Sequence, residues 1–130
     1  MVGRGSQYAG AFVDARGNPL NGGKAYRLHM PPNIPAKQFW SLIPYDTQTR
    51  SVLQTDQRDA GLSSESGTVA TNADGSVDVY FAPTPPLGKE KNWIQTVPGK
   101  SWFVYFRLYS PLEPWFDKSW RPGDIEQVSG

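Results

Sequence analysis

Residues 92–111, NWIQTVPGKSWFVYFRLYSP, decide the fold. Between 101 and 109, aromatic and β-branched residues follow one another without a breaker, which suits the pleated surface of a β-strand. At period two, Trp102, Val104, Phe106 and Leu108 share one face, and Phe103, Tyr105, Arg107 and Tyr109 share the other. The first is a core face. The second is aromatic but carries hydroxyl tips and a guanidinium, so it is expected to lie under another layer, a partner subunit or a ligand.

Outward from this strand, the chain alternates strand segments with turn clusters. Residues 7–14 have strand character, and Asp14 to Pro19 form a turn cluster. Asn21-Gly22-Gly23 is a second turn, releasing a strand over 24–30 in which Tyr26, Leu28 and Met30 alternate with Ala25, Arg27 and His29. Pro31 and Pro32 end it, since neither can donate to a ladder. A strand over 38–46 follows, with Pro44 predicting a bulge or an edge position. Residues 51–54 read as a strand leading into a polar surface loop. Segments 68–71 and 76–82, joined by Asn72-Ala73-Asp74-Gly75, read as a tight hairpin with Val77, Val79 and Phe81 inward. Pro83 to Pro86 break that strand, and residues 88–91 read as a solvated loop. Downstream, Ser110-Pro111-Leu112-Glu113 fits a capping box with proline at the first helical position, and Pro114 limits the helix to about one turn. Residues 117–128 are expected to close on the core as a last strand or extended arm.

About six to eight short strands without a helical period point to an all-β fold, a jelly-roll-like antiparallel β-sandwich. At 130 residues the chain is one domain, with an N-terminal tail over 1–7, the sandwich over 8–126 and a C-terminal tail over 127–130. The 13 Gly and 12 Pro supply turns, while 5 Trp, 6 Tyr and 6 Phe spread along the chain supply a core, against low-complexity disorder. A net charge of +1 with interspersed acids and bases leaves no basic stripe for phosphates, so nucleic acid is not an expected partner. No stretch approaches a membrane span and the first residues hold no signal-like apolar region, which makes the cytoplasm the default location. Without cysteine there are no disulfides, thiol nucleophiles or Cys-ligated zinc. No cofactor is expected.

Chemistry-bearing residues are few. Asn72, Asp74 and Asp78 are oxygen ligands at close spacing, yet with Gly75 at an EF-hand's loop glycine the first ligand position falls on Ala70 and the last acid on Phe81, so that motif fails. A looser divalent site competes there with a plain hairpin turn. His29, the one histidine, shares a strand face with Arg27, and no G-x-S-x-G elbow offers it a nucleophile. Pairs such as Asp46 with Asp78 or Glu113 with Asp117 would need a carboxyl separation that sequence does not measure. Arg107, inside the most apolar strand, must be paired or solvated, by a salt bridge to Asp46 or Asp78 as the default, or by a bound anion. Phe39, Trp40, Trp93, Trp102, Trp115, Phe116 and Trp120 are core residues by default and a sugar-stacking platform in the alternative.

Six ordered motifs carry a resemblance: Gly23-Lys24-Ala25-Tyr26-Arg27-Leu28; Phe39-Trp40-Ser41 with Tyr45-Asp46; Asn72-Ala73-Asp74-Gly75-Ser76; Asn92-Trp93-Ile94; Phe106 to Pro111; and Trp120-Arg121-Pro122. From about Tyr8 to Ile125 the chain resembles the domain of unknown function numbered twelve-fourteen. The resemblance implies a jelly-roll-like sandwich, often in an oligomer, and a companion domain numbered twelve-fifty-four ahead of it. It implies no catalytic residue. The family's Thr-Leu-Tyr-Asp segment reads Ile43-Pro44-Tyr45-Asp46 here.

The expected function is therefore a non-catalytic binding or assembly module. It would present Tyr105, Arg107 and Tyr109, with Arg27 and His29 if their strand is adjacent, to another copy, a companion domain, or a small-molecule or sugar ligand. The alternative is a hydrolase or lyase acting on a carbohydrate-like or small polar substrate, with Asp46, Asp74 or Asp78 as acid, base or metal ligand.

Overall fold

The breaker-free run forms the longest interior ladder of the molecule. A computed structural model describes residues 6–53, 55, 61–64, 69–86, 88–116, 118 and 120–128. In it β7 (Trp102–Pro111) is flanked on both sides by antiparallel neighbours, β1 (Ser6–Ala11) and β3 (Ala36–Asp46). The two-residue β4 (Leu62–Ser63) pairs with the far side of β3, giving a four-stranded sheet in the order β1-β7-β3-β4. The second sheet runs β6 (Trp93–Gln95), β5 (Val77–Ala82), β2 (Ala25–Met30), β8 (Ile125–Val128).

Period-two alternation turns the apolar halves of both sheets toward each other, making a β-sandwich. Trp102, Val104, Phe106 and Leu108 of β7 share one buried cluster with Tyr26, Leu28 and Met30 of β2 and Val77, Val79 and Phe81 of β5. Each such side chain contributes about 1.5–3 kcal/mol when fully buried. Aromatic contacts fix the start and the middle of β7. Trp102 stacks on Phe81 with centroids 4.6 Å apart and meets the edge of Tyr26 at 5.7 Å. Phe106 stacks on Trp120 at 5.6 Å, and the Trp120 indole N–H donates to the Pro31 carbonyl. The Asn21-Gly22-Gly23 turn is wedged against residues 96–100. There the Gly22 N–H donates to Lys100 O at 2.9 Å, and the buried Thr96 hydroxyl donates to Gly22 O at 2.8 Å.

Several local expectations need correction. β3 begins at Ala36, ahead of residue 38, and its register slips between Ala36 and Phe39 rather than at Pro44. Pro44 is tolerated because its carbonyl points away from β7, accepting from Leu53 N, so its missing N–H falls on the side where β4 has already ended. The strand expected over 51–54 is reduced to a bridge between Val52 and Tyr45, and residue 54 lies outside the described residues. The Asp74-Gly75 turn forms, with Gly75 at φ 89°, but residues 69–71 before it are not a strand and residue 68 lies outside the described residues. β7 runs through Pro111, so no capping box forms at Ser110. The short helix α1 (Glu113–Phe116) starts later and holds Pro114 in its first turn, where an N–H has no intrahelical acceptor.

The sandwich is not wholly antiparallel, because β5 and β6 pair in parallel. The prolines after β5 take the chain out of the ladder, and a 3-10 turn at Glu90–Asn92, in place of the expected loop, brings it back in the same direction. Buried Asn92 pins this crossover. Its amide donates to the carbonyls of Ala70 and Asp78 and accepts from Ala70 N. Among the described residues, β1 starts at Ser6 and β8 ends at Val128.

Candidate functional site

The outer face of the β1-β7-β3-β4 sheet is built in cross-strand rows by residues that alternate with the core set. Along β3 and β7 these rows are Phe39 with Tyr109, Ser41 with Arg107, Ile43 with Tyr105, and Tyr45 with Phe103. Phe39 stacks on Tyr109 at 4.1 Å, and Tyr45 on Phe103 at 5.3 Å and 11°. Phe12, just past β1, lays its ring over Phe103 at 5.0 Å and stays 49% exposed. Gly10 makes this overlap possible, since a Cβ there would come within 2.8 Å of Tyr105 Cε1 and 2.9 Å of Phe12 Cε2. Between the two stacked rows, Ile43, Tyr45, Tyr105 and Arg107 line a recess of about 250 Å³.

Among the described residues of these rows, Arg107 carries the charge. Its guanidinium carbon sits 5.2 Å from the centroid of the Tyr109 ring, a cation–π distance. The expected salt bridge to Asp46 or Asp78 does not form, because both carboxylates are taken. Asp46, at the end of β3, accepts from Lys100 Nζ at 2.9 Å and from the backbone N–H groups of Gln48 and Thr49. Asp78, in the other sheet, accepts from His29 Nδ1 at 2.7 Å and Asn72 Nδ2 at 3.1 Å. Arg107 Nε is buried without a hydrogen-bond partner, and so is the Oγ of Ser41, the residue directly across from it.

The remaining candidates lie elsewhere. Arg27 and His29 project from β2, in the second sheet, on the side away from its buried Tyr26, Leu28 and Met30. The condition that their strand adjoin β7 is not met, so Tyr105, Arg107 and Tyr109 occupy one outer face of the sandwich while Arg27 and His29 occupy the opposite one. Arg27 reaches Glu126 at 3.9 Å, an exposed pair of the kind that contributes little. His29 pairs across the β2–β5 ladder with Asp78. An ionised carboxylate only accepts, so His29 Nδ1 carries the proton of that bond.

Asn72, Asp74 and Asp78 do come together, beside His29, and they are occupied with one another. Asp74 Oδ1 accepts from both the N–H and the hydroxyl of Ser76, while Asn72 Nδ2 donates to Ser76 Oγ and Asp78. The Ser76 hydroxyl and N–H hold the Asp74 carboxyl below its ordinary value. For Asp78, partial burial pushes the carboxyl up, but hydrogen bonds from His29 and Asn72 with the nearby His29 and Arg27 charges outweigh it and bring the group down. Among the described residues no group of three or more His, Cys, Asp or Glu is placed to hold a metal ion. Asp117, expected as a partner for Glu113, lies outside the described residues.

The aromatic set divides instead of forming one platform. Trp40, Trp102 and Trp120 are buried in the core, and Trp115 packs against it. The Trp93 indole donates to Ala82 O, and only Phe39 belongs to the outer rows described above. The side chain of Phe116 lies outside the description. Sequence reasoning missed Phe12, Ser41, Ile43 and Tyr45 as members of this face. The alternation of Phe39, Ser41, Ile43 and Tyr45 along one strand was the signal for three of them, whereas nothing local places Phe12 over Phe103.

Comparison with known proteins agrees with the geometry at the level of fold. The chain superposes on the VPA0106 protein from Vibrio parahaemolyticus with a TM-score of 0.79 at 21% identity, over 95% of this chain and 31% of that one. An uncharacterised protein from Burkholderia cenocepacia gives 0.58 at 20% identity, over 95% and 29%. The chain thus spans under a third of the length of either structure. No curated protein matches it. Residues 5–113 match the model of the family described as "Protein of unknown function (DUF1214)", and across that span, most of its 130 residues, the chain belongs to the DUF1214 family.

Proposed function

We propose that this domain is a non-catalytic binding or assembly module that meets a partner polypeptide through the outer face of the β1-β7-β3-β4 sheet. The observation that carries the reading is the set of aromatic rows flanking Arg107, a guanidinium that makes no ion pair among the described residues. Tyr and Arg on a partly apolar surface are the residues that dominate protein contacts once desolvated. Support also comes from the longer structures of the same fold, in which the matched region makes up under a third of the chain. The hydrolase or lyase alternative has less behind it: Asp46 lies on β3 and Asp78 on β5, in different sheets, and each is committed to its own partners.

Light scattering on the purified chain over a range of concentrations tests the reading with a second copy as the partner. The expected result is a mass above the monomer that falls toward it in Arg107→Ala and Tyr105→Ala. A monomer at every concentration, or a mass that neither substitution changes, refutes assembly through this face.

A further inference from the structure

Beside the recess on the outer face lies an imbalance that the described residues do not resolve. Ser41 and Arg107 are a directly opposed pair in the β3–β7 ladder. Ser41 is 7% exposed, yet its hydroxyl has no partner, and Arg107 Nε is likewise buried and unpartnered. Buried polar atoms are normally satisfied, so two adjacent exceptions beside a cavity point to a group that is supplied from outside. Both atoms can donate, and among the described residues the only formal charge lining the recess is positive. An acceptor carrying negative charge is the complement.

We infer that this recess seats a carboxylate, with Arg107, which lines it, as the charged donor and the neighbouring Ser41 hydroxyl, buried behind that lining, as the second. The planar guanidinium offers paired N–H groups that match the two oxygens of a carboxylate. A single cation balances a monoanion, whereas a phosphate dianion would be left half-neutralised between the rings of Tyr45 and Tyr105. Those rings and Ile43 supply an apolar wall for the carbon body of the acid. The carboxylate is that of a free small acid or of an acidic side chain on a docked partner. The inference rests on the reading of this face as the contact surface and adds the chemistry of what it holds.

Benzoate is the probe, titrated calorimetrically into the full chain with benzamide as the uncharged control, while light scattering follows the mass with and without saturating benzoate. Saturable benzoate binding is expected, without benzamide binding. It should weaken about tenfold to a hundredfold in Arg107→Gln and about tenfold in Ser41→Ala, as befits lost hydrogen bonds to a charged group. Arg107→Lys, which keeps the charge but loses the planar fork, should also weaken it and guards against misfolding of the Gln variant. Benzoate binding with unchanged mass assigns the seat to a free acid; binding that lowers the mass assigns it to a carboxylate of the partner copy. No benzoate binding, as when ordered water satisfies both atoms, overturns the inference, and so does binding that all three substitutions leave unchanged. A mass that still depends on Tyr105 and Arg107 would then preserve assembly through this face while removing the carboxylate seat.

Discussion

Gly22 and Gly23 are adjacent, lie in one turn, and should respond very differently to the same methyl group. A Cβ on Gly22 would stand 1.9 Å from Val97 O and 2.6 Å from Lys100 O, both backbone atoms that cannot rotate away. A Cβ on Gly23 would meet nothing closer than Asn21 Oδ1 at 3.4 Å. Gly22→Ala therefore has to push the 97–100 turn off the 21–23 turn. Overpacking of this kind costs roughly 1–3 kcal/mol. The shift also loosens the hydrogen bonds from Gly22 N to Lys100 O and from Thr96 Oγ1 to Gly22 O, each contributing about 1 kcal/mol. The expected loss is about 3–5 kcal/mol, or roughly 10–20 °C in Tm for a domain of this size. Gly23→Ala should stay within about 1 kcal/mol of the parent, since the unfolded chain loses freedom and the folded one gains no clash. Thermal and urea unfolding of both variants, followed by tryptophan fluorescence, provide the assay. If Gly22→Ala melts within a few degrees of Gly23→Ala, the close approach of the two turns is not what holds this corner together.

Two further predictions test the faces and the charges. Leu108→Ala, at a fully buried position, should cost about 2–5 kcal/mol, whereas Tyr109→Ala, which gives up chiefly the outer stack on Phe39, should cost only about 0.5–1.5 kcal/mol; urea midpoints in the reverse order would contradict the assignment of inner and outer faces. Acidification should destabilise the domain, because Asp46 (held down first by Lys100), Asp74 and Asp78 all have folded pKa values below the ordinary 3.8. Their contribution is complete well above that value, starts to fade below about pH 5 as the unfolded chain protonates first, and is gone only when the pH passes beneath the depressed folded values. A Tm that stays flat between pH 6 and about pH 3, or an acid slope that Asp46→Asn and Asp78→Asn leave unchanged, would count against these carboxylate networks.

The contrast between what was legible and what was not follows from the range of each physical constraint. Which side of a strand a residue occupies is set by covalent geometry at period two, and that is why Trp102, Val104, Phe106 and Leu108 could be assigned to the core and Tyr105, Arg107 and Tyr109 to the outside. Which strands lie side by side depends on contacts far apart in sequence, and no local pattern carries them. The outer face was accordingly read in part: Tyr105 and Arg107 were placed on one face of β7, Arg27 and His29 were joined to them although β2 lies in the other sheet, and Ser41, Ile43 and Tyr45, which complete the rows, were left on a strand without an assigned neighbour. The partner of Arg107 failed for a related reason. The rule that a buried charge is normally paired suggested a carboxylate for Arg107, but Asp46 and Asp78 are held by Lys100 and His29. A guanidinium passed over in this way is an accident on a solvated surface. Opposite the buried and equally unpartnered Ser41 hydroxyl, on a face lined with rings, its Nε is the feature on which the proposed contact surface and carboxylate seat rest.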